Sequence, residues 1–174
     1  MGRYGEAEPV LREVLCVRRR TLGDSHPNTP ISIGNLASLL QAQGKLGEAE
    51  ALCREALGGF RRTLGDSHPL TLTSISNLAL LLQDQGKFGE AESLYREALE
   101  GRRRTLGDSH PDTLISVRNL AIFLEALKQL DEAEALYREL CKGYLRSLGA
   151  SHPDVKASLD NLKRFLRAHG RSPQ

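Results

Sequence analysis

The sequence has few aromatic residues for its length. Its 174 residues include no tryptophan, and the aromatic fraction is only 5%. Large rings usually contribute much of the buried surface of a compact globule, whereas thin layers of leucine, alanine and isoleucine do not need them. The hydrophobic fraction of 40% and the charged fraction of 26% are ordinary for a soluble chain. We therefore expect a folded protein with a thinly layered core.

Other absences exclude several classes of protein. No apolar run is long enough to span a membrane, no secretory leader is visible, and Glu6 stands where a myristoylation signal requires Ser or Thr. The net charge of +2, with both signs alternating along the chain, gives no bias toward nucleic acid. Cys16, Cys53 and Cys141 lack CxxC spacing, which favours reduced thiols over a disulfide or a metal site. We expect a cytoplasmic protein without a cofactor, a membrane partner or a nucleic-acid partner.

What the sequence does contain is a repeated hexapeptide. Leu-Gly-Asp-Ser-His-Pro occupies residues 22–27, 64–69 and 106–111, and a fourth copy at 148–153 differs only by Ala150. Each copy begins 42 residues after the one before. Such a period indicates a supersecondary unit that buries its apolar face only by stacking on copies of itself.

The hexapeptide divides the chain into repeats. Gly-Arg-Tyr-Gly-Glu-Ala-Glu at residues 2–8 matches the middle of the later repeats, so the array begins with half a repeat. This start indicates either an excerpt of a longer array or a gene with an unusual start. The complete prediction is a single array over residues 1–170, followed by a disordered tail at 171–174. Its parts are a half repeat at 1–27, full repeats at 28–69, 70–111 and 112–153, and a capping helix at 154–168.

Each full repeat predicts two helices joined by a short turn. Ile33, Leu36, Ala37 and Leu40 follow the i, i+3, i+4, i+7 spacing of one apolar helix face, and the second helix shows a similar pattern. Gly44 and Gly86 suit a left-handed residue in the turn. The third repeat has Lys128 in that place, so we expect an altered turn there without a change of topology. In the last helix Lys163 replaces the alanine at this spacing, which favours a polar-faced cap.

The hexapeptide itself is interpreted as a connection between repeats. Its glycine suits the end of a second helix, Asp and Ser suit the cap of the next helix, and proline suits its first turn. The four histidines at 26, 68, 110 and 152 lie in separate connections, about 10 Å apart if the repeats stack. This spacing disfavours a shared metal site, and we expect none. The arginines that end the second helices complement the helix dipole, although they also form a basic ridge that could meet an acidic partner.

The helix pairs, the Gly-Lys turn and the Glu-Ala-Glu opening of the second helix resemble the tetratricopeptide repeat. The 42-residue period, with Asn-Leu-Ala in the first helix and Arg-Glu-Ala-Leu in the second, resembles the kinesin light chain type over residues 2–166. This resemblance implies an all-α fold, a right-handed α-solenoid of about eight helices in antiparallel pairs. It also implies a concave groove, lined by first helices, that binds a peptide or a partner segment.

The groove positions implied by the resemblance, apart from an asparagine that recurs in every first helix, vary between repeats, as either a ligand-binding surface or a drifting solvated face would do. They are Gly34, Asn35, Ser38, Gln41, Thr73, Ser76, Asn77, Leu80, Gln83, Ile115, Arg118, Asn119, Ile122, Glu125, Asp160, Arg164 and Arg167. In light chains asparagines near these positions contact the cargo backbone, whereas a structural role between repeats is an equal alternative. Light-chain grooves favour peptides with acidic residues around a Trp. Arg118, Arg164 and Arg167 would attract such a peptide, whereas Glu125 and Asp160 would repel it.

The sequence therefore predicts a protein-binding adaptor or scaffold. It contains no phosphate loop and no Cys-His or Ser-His-Asp grouping, so we expect no enzyme activity and no catalytic residue. Two alternatives stay open. The half repeat exposes an apolar edge through which copies could pair, making the chain an oligomerising spacer. The chain could also be a regulatory repeat segment of a larger signalling protein.

Overall fold

The computed structural model describes residues 4–24 and 26–171. Within these residues the chain forms eight α-helices and no β-strand. The helices are α1 Tyr4–Leu22, α2 Asn28–Ala42, α3 Leu46–Leu64, α4 Pro69–Asp84, α5 Phe88–Leu106, α6 Pro111–Ala126, α7 Leu130–Leu148 and α8 Pro153–Ala168. This set agrees with the predicted pairs, in which α2, α4, α6 and α8 are first helices and α1, α3, α5 and α7 are second helices.

The helices belong to two compact units, Met1–Leu94 (unit 1) and Tyr95–Gln174 (unit 2). In unit 1, α1 packs on α2, α2 on α3 and α3 on α4; in unit 2, α6 packs on α7 and α7 on α8. The helix α5 begins in unit 1 and continues in unit 2. Packing between consecutive helices confirms the predicted all-α arrangement of helix pairs.

The core of each unit consists of the apolar positions predicted from the spacing. In α2, Ile33, Leu36, Ala37 and Leu40 are all buried, and the corresponding residues of α4 and α6 are buried as well. Glycines allow two of the helix pairs to approach closely. A Cβ on Gly59 would lie 2.8 Å from Pro30 Cγ, and a Cβ on Gly143 would overlap the side chain of Leu114.

The hairpin turns share one backbone geometry. Gly44 and Gly86 have φ of +77° and +76°, and the next amide donates to the carbonyl of Leu40 or Leu82 at 2.9 Å. In the third repeat Lys128 adopts the same conformation with φ of 64°, and Gln129 N donates to Leu124 O at 2.9 Å. The topology is unchanged, as predicted, and the lysine occupies a region of φ that costs non-glycine residues energy.

The connections between repeats differ from the prediction in their capping residue. The N-cap of α4 is His68, whose Nδ1 accepts a hydrogen bond from Leu70 N at 3.2 Å. His110 and His152 cap α6 and α8 in the same way. The expectation that Asp and Ser provide these caps was therefore wrong. The aspartate instead pairs with the preceding helix, as Asp66 does with Arg61 Nε at 3.2 Å.

The glycine of each connection has a positive φ, as predicted, but its ψ is extended rather than helical where it ends α3 and α7. Gly65 ends α3 with φ of 83° and ψ of 168°, a combination that essentially only glycine adopts. Thr71, one turn further along, donates its hydroxyl proton to the Gly65 carbonyl at 2.8 Å. Histidine, glycine and threonine thus fix the chain reversal at the start of α4, and Thr29 bonds the Gly23 carbonyl in the same way at α2. The hydroxyl of Thr113 in α6 makes no such bond, and α8 has Val155 in this place.

Ion pairs join neighbouring second helices at a spacing of 36 residues. Arg12 pairs with Glu48 at 2.9 Å and Arg54 with Glu90 at 2.7 Å in unit 1. Arg96 pairs with Glu132 at 2.5 Å in unit 2. We call these contacts rungs. They are solvated, so each contributes little alone, but their common spacing keeps the same register from repeat to repeat.

A second set of ion pairs connects the hairpin turn to the preceding second helix. Lys87 Nζ lies 2.7 Å from Glu50, and together with Arg54 it lowers the pKa of Glu50 to about 2. In unit 2 Arg171 occupies the equivalent place and pairs with Glu134 at 2.8 Å, which lowers the pKa of that carboxyl. Arg171 was assigned to the tail from the sequence; residues 172–174 lie outside the described part of the chain.

Candidate functional site

The candidate groove residues of unit 1 surround two adjoining cavities. The smaller has a volume of about 130 Å³ and the larger about 170 Å³. Both are lined by Gly34 and Ser38 of α2 and by Asn77 of α4, and both of these helices pack on α3. Of the remaining candidates, Gln41 and Leu80 line the smaller cavity, and Asn35 and Thr73 line the larger. Ser76 and Gln83 lie on α4 outside both linings.

The floor of these cavities comes from α3, a second helix that was not expected from the sequence to contribute to the site. Ala56 contributes to both cavities, Cys53 to the smaller and Phe60 to the larger. Burial raises the pKa of the Cys53 thiol to about 11, so the thiol is a small, unreactive apolar surface at neutral pH. Aligning the repeats identifies the floor from the sequence, because Cys53 is a small residue where the following repeats have Tyr95 and Tyr137.

Hydrogen bonds fix part of the unit 1 rim. Gln41 Nε2 donates to Asp84 Oδ2 at 2.6 Å, which connects the carboxyl ends of α2 and α4. The hydroxyl of Ser38 donates back to Gly34 O at 3.0 Å within α2. Leu80 is 46% exposed beside these polar groups. The rim therefore combines amide and hydroxyl groups with one accessible apolar side chain.

In unit 2 the candidate residues form an exposed face with apolar and cationic groups. Ile115 and Ile122 are both exposed on α6, with Arg118 between them, and Arg164 and Arg167 are exposed on α8. Asn119 is half-buried on α6. Burial raises the pKa of Tyr144 on α7, while the nearby charge of Arg118 opposes that rise. The arginine thus lies close to the tyrosine on the helix between α6 and α8.

The two acidic candidates of unit 2 are engaged within the protein. Glu125 accepts a hydrogen bond from Tyr137 Oη at 2.7 Å, and its other oxygen lies 3.3 Å from His169 Nε2. Burial and this carboxylate together raise the pKa of Tyr137. Asp160 pairs with Lys163 at 3.5 Å. From the sequence, these two carboxylates are expected to repel an acidic ligand. Their hydrogen-bond and ion-pair partners partly offset this negative charge.

Aromatic rings fill the interior of unit 2 at the level where unit 1 has its smaller cavity. Tyr95 packs on Phe123 and Tyr137 on Phe165, with ring centroids 5.2 Å apart in both pairs. The same spacing in unit 1 pairs Cys53 with Leu81. The cavity of unit 1 therefore follows from smaller side chains at two repeated positions.

The residues that the structure describes offer little for metal or membrane chemistry. Among residues 4–24 and 26–171, no three His, Cys, Asp or Glu side chains are arranged to hold a metal ion. Each histidine of the connections directs Nδ1 at the backbone of its own helix, as His152 does at Asp154 N. Over the same residues, no helix combines the length and apolar character needed to cross a membrane.

Comparisons with known proteins agree with the helix-pair architecture. The family model of the tetratricopeptide repeat matches residues 1–50, 31–104 and 75–146. No curated protein sequence matches the chain. Proteins built from such repeats are typically non-enzymatic and mediate protein–protein interaction.

Solved structures give the same result at the level of the fold. Kinesin light chain nearly identical TPR-like repeats from Podosopora anserina match with a TM-score of 0.85 at 31% identity, over 97% of this chain and 80% of that chain. BtubC (BKLC) from P. vanneervenii matches with a TM-score of 0.83 at 24% identity, over 97% and 67% of the two chains. The apo form of RapI matches with a TM-score of 0.78 at 14% identity, over 96% and 44%. These last two matches concern the fold alone.

The matches confirm the fold class predicted from the sequence, an α-solenoid of helix pairs. The family model spans well over half of the chain, and its repeats superpose on kinesin light chain repeats. The chain therefore belongs to the tetratricopeptide repeat family, with repeats of the kinesin light chain type.

Proposed function

We propose that the chain is a protein-interaction adaptor that binds a peptide or partner segment on the faces of its first helices. The observation that supports this proposal most directly is the pair of cavities in unit 1. Seven candidate residues line them, together with a floor formed by Cys53, Ala56 and Phe60 of α3. The cavities open to solvent between polar rim residues and an apolar floor, which is the combination that recognition of a peptide side chain requires.

The cavities indicate what the partner presents to unit 1. A space of about 150 Å³ accommodates a group as large as a benzene ring, so the cavities of about 130 and 170 Å³ suit one apolar side chain each. The exposed amide of Asn77 at their rim can bond the backbone of an extended peptide. A peptide with an apolar anchor flanked by free backbone groups therefore matches unit 1.

The exposed face of unit 2 favours partners of complementary charge. Arg118, Arg164 and Arg167 supply positive charge, while Ile115 and Ile122 supply apolar contact. Because Glu125 and Asp160 are engaged by neighbouring side chains, their opposition to an acidic ligand is reduced. A partner segment with carboxylates and an aliphatic or aromatic side chain suits this face. A cytoplasmic location stays a prediction from the sequence.

The proposal is tested with a matched pair of glycine substitutions. Gly34 and Gly47 are both helical, and a Cβ at either position has open space around it. Gly34→Leu fills the cavities, whereas Gly47→Leu changes only the exposed first turn of α3. Replacing a helical glycine removes a cost of about 0.8–1 kcal/mol relative to alanine, so both variants should be at least as stable as the parent.

Peptides selected from a displayed random library on the immobilised chain serve as probes, and fluorescence anisotropy measures their affinity. We expect Gly34→Leu to weaken binding about tenfold or more, since the anchor side chain loses its space, and Gly47→Leu to leave it unchanged. Equal affinity for the two variants, or no peptide enrichment on the parent chain, would contradict the proposal.

A further inference from the structure

A cavity of about 490 Å³ opens between the second helices α1 and α3 of unit 1. Its apolar lining consists of Leu15, Leu36 and Leu52, one from each of the three successive helices α1, α2 and α3. Leu15 and Leu36 are buried, whereas Leu52 is half-buried. No candidate groove residue lines this space. It is here called the α1–α3 cavity, and it is separate from the two cavities beside the first helices.

Guanidinium groups form the rim of the α1–α3 cavity. The described residues that line it include Arg12, Arg19 and Arg20 but no acidic side chain. Arg12 pairs with Glu48 and Arg19 with Glu55, and both ion pairs join α1 to α3. The two pairs are seven residues apart on each helix, which is about 10 Å. They bound the cavity at both ends, so a helix lying along α1 and α3 would have to break them, whereas a small molecule between them would not.

Arg20 is the rim cation that the protein does not neutralise. It is exposed and, within the part of the chain that the structure describes, forms no ion pair. Its equivalent in the next repeat, Arg62, shows how far such a side chain reaches. A Cβ on Gly58, one turn earlier, would lie 3.6 Å from Arg62 Nη1. Because Gly58 is equivalent to Cys16, the guanidinium of Arg20 can reach over Cys16, which also lines the cavity.

Unit 2 contains the equivalent cavity with a volume of about 240 Å³. Arg96, Arg103 and three leucines line it at positions two repeats after those of unit 1, but Glu100 stands where unit 1 has Cys16. Glu132, the rung partner of Arg96, lines it as well. The cavity is therefore a feature of the repeat and not of the first helix alone. In unit 2 the protein supplies a carboxylate to this space, and in unit 1 it does not.

We propose that the α1–α3 cavity binds a small carboxylic acid with an apolar body, such as a medium-chain fatty acid. The carboxylate takes the position that Glu100 has in unit 2, within reach of Arg20, and the acyl chain lies on the three leucines. Arginine and carboxylate form strong, charge-assisted hydrogen bonds. A mostly apolar cavity of several hundred cubic ångströms with a few charged groups is typical of small-molecule sites. This inference goes beyond the proposed function and does not rest on it.

Cys16 reports whether the cavity is occupied. Its thiol is exposed, whereas Cys53 and Cys141 are buried, so N-ethylmaleimide should alkylate Cys16 first in the folded chain. Octanoate is the probe, and we expect it to slow this alkylation several-fold at saturation, as measured by mass spectrometry. Octanol and octylamine have the same chain without the negative charge and should protect more weakly. Acetate has the charge without the chain and should not protect.

Exchanging the residues that differ between the two cavities tests the site by isothermal titration calorimetry. Cys16→Glu gives unit 1 the carboxylate of unit 2 and should weaken octanoate binding about tenfold or more, because a like charge occupies the site. Glu100→Cys should create a second site in unit 2, weaker because that cavity is smaller. Cys16→Ser keeps the space and should bind like the parent. Both positions are exposed, and circular dichroism verifies that the variants are folded.

A second pair of variants isolates the charge. Arg20→Gln should weaken octanoate binding several-fold, as loss of a solvated ion pair does, and should leave octanol binding unchanged. Arg62→Gln removes the equivalent charge one repeat later, outside this cavity, and should change neither.

Four results would overturn the proposal. They are no protection of Cys16 at any octanoate concentration below its micelle threshold, equal protection by octylamine, unchanged binding in Cys16→Glu, and stronger protection by a capped Leu-Glu dipeptide than by octanoate. The last result would assign the cavity to an acidic segment of a partner protein instead. Peptide binding beside Gly34 is measured on the same variants, so failure of this site is separable from failure of the proposed function.

Discussion

The interiors of units 1 and 2 differ at two repeated positions that meet in the core, although their repeats are similar. Unit 1 has Cys53 where unit 2 has Tyr95 and Tyr137, and it has Leu81 where unit 2 has Phe123 and Phe165. The rings of unit 2 pack in pairs, and unit 1 retains a cavity of about 130 Å³. A repeat can thus keep its backbone and gain a cavity by having smaller side chains at these two positions.

The largest expected effect on stability follows from placing the small residue of unit 1 at the matching position of unit 2. Tyr137 is almost fully buried, packs on Phe165 and donates to Glu125. We expect Tyr137→Cys to lower the free energy of unfolding by about 3 kcal/mol or more, because it leaves a void and removes a hydrogen bond. Urea unfolding followed by circular dichroism measures the loss.

Two variants separate the contributions. Tyr137→Phe keeps the ring and removes only the hydrogen bond, so about 1 kcal/mol of destabilisation is expected. The reciprocal Cys53→Tyr should close the cavity of unit 1 and reduce peptide binding, with a smaller effect on stability. If Tyr137→Cys proved as stable as the parent, packing of the rings would not explain the difference between the units.

The hairpin turns of the two units also differ, and exchanging their residues should have an effect of intermediate size on stability. Unit 1 turns on Gly44 and Gly86, whereas unit 2 turns on Lys128 with φ of 64°. Lys128→Gly should raise the free energy of unfolding by about 1 kcal/mol, since a left-handed conformation costs an L-residue roughly that amount. The midpoint of urea unfolding measures the gain. Gly86→Lys is the reciprocal control and should destabilise by a similar amount; a neutral result for both would show that these turns tolerate any residue.

The smallest expected effect concerns acid stability. Lys87 and Arg54 hold the pKa of Glu50 at about 2 in the folded chain, below its ordinary value of about 4.5. The stability that this carboxylate contributes is therefore present above about pH 4.5 and is lost as the pH falls toward 2. Glu50→Gln should reduce stability at neutral pH and flatten its decline over that interval.

Unit 2 provides the counterpart of this measurement. Arg171 and Arg138 lower the pKa of Glu134, so Glu134→Gln should change the pH profile in the same direction. Unfolding midpoints in urea at a series of pH values measure both variants. A decline as steep in Glu50→Gln as in the parent would contradict the assignment of the acid sensitivity to this ion pair.

Most of the fold follows from periodic features of the sequence. The spacing of Ile33, Leu36, Ala37 and Leu40 determines the buried face of α2, and glycine at the turns determines where the chain reverses. These features act locally and recur in every repeat, so single-chain reasoning identifies them. Even the altered turn at Lys128 was predictable, because the following helix fixes the topology.

The parts that were missed depend on contacts between elements. Only first helices were expected to form the candidate site, but the floor of that site comes from Cys53 and Ala56 of α3. The capping role of His68 was missed because histidine is not among the usual N-cap residues. The close approach of Gly143 to Leu114 depends on how two helices cross, which periodicity does not specify.

The histidine caps satisfy one backbone amide at the start of each of three first helices without help from outside the connection. In α4, α6 and α8 the Nδ1 atom accepts from the amide two residues later at 3.2 Å. Because donor and acceptor lie within one turn of the same helix, this cap needs no neighbouring repeat. A repeat that is inserted or removed together with its hexapeptide therefore carries its own helix start with it.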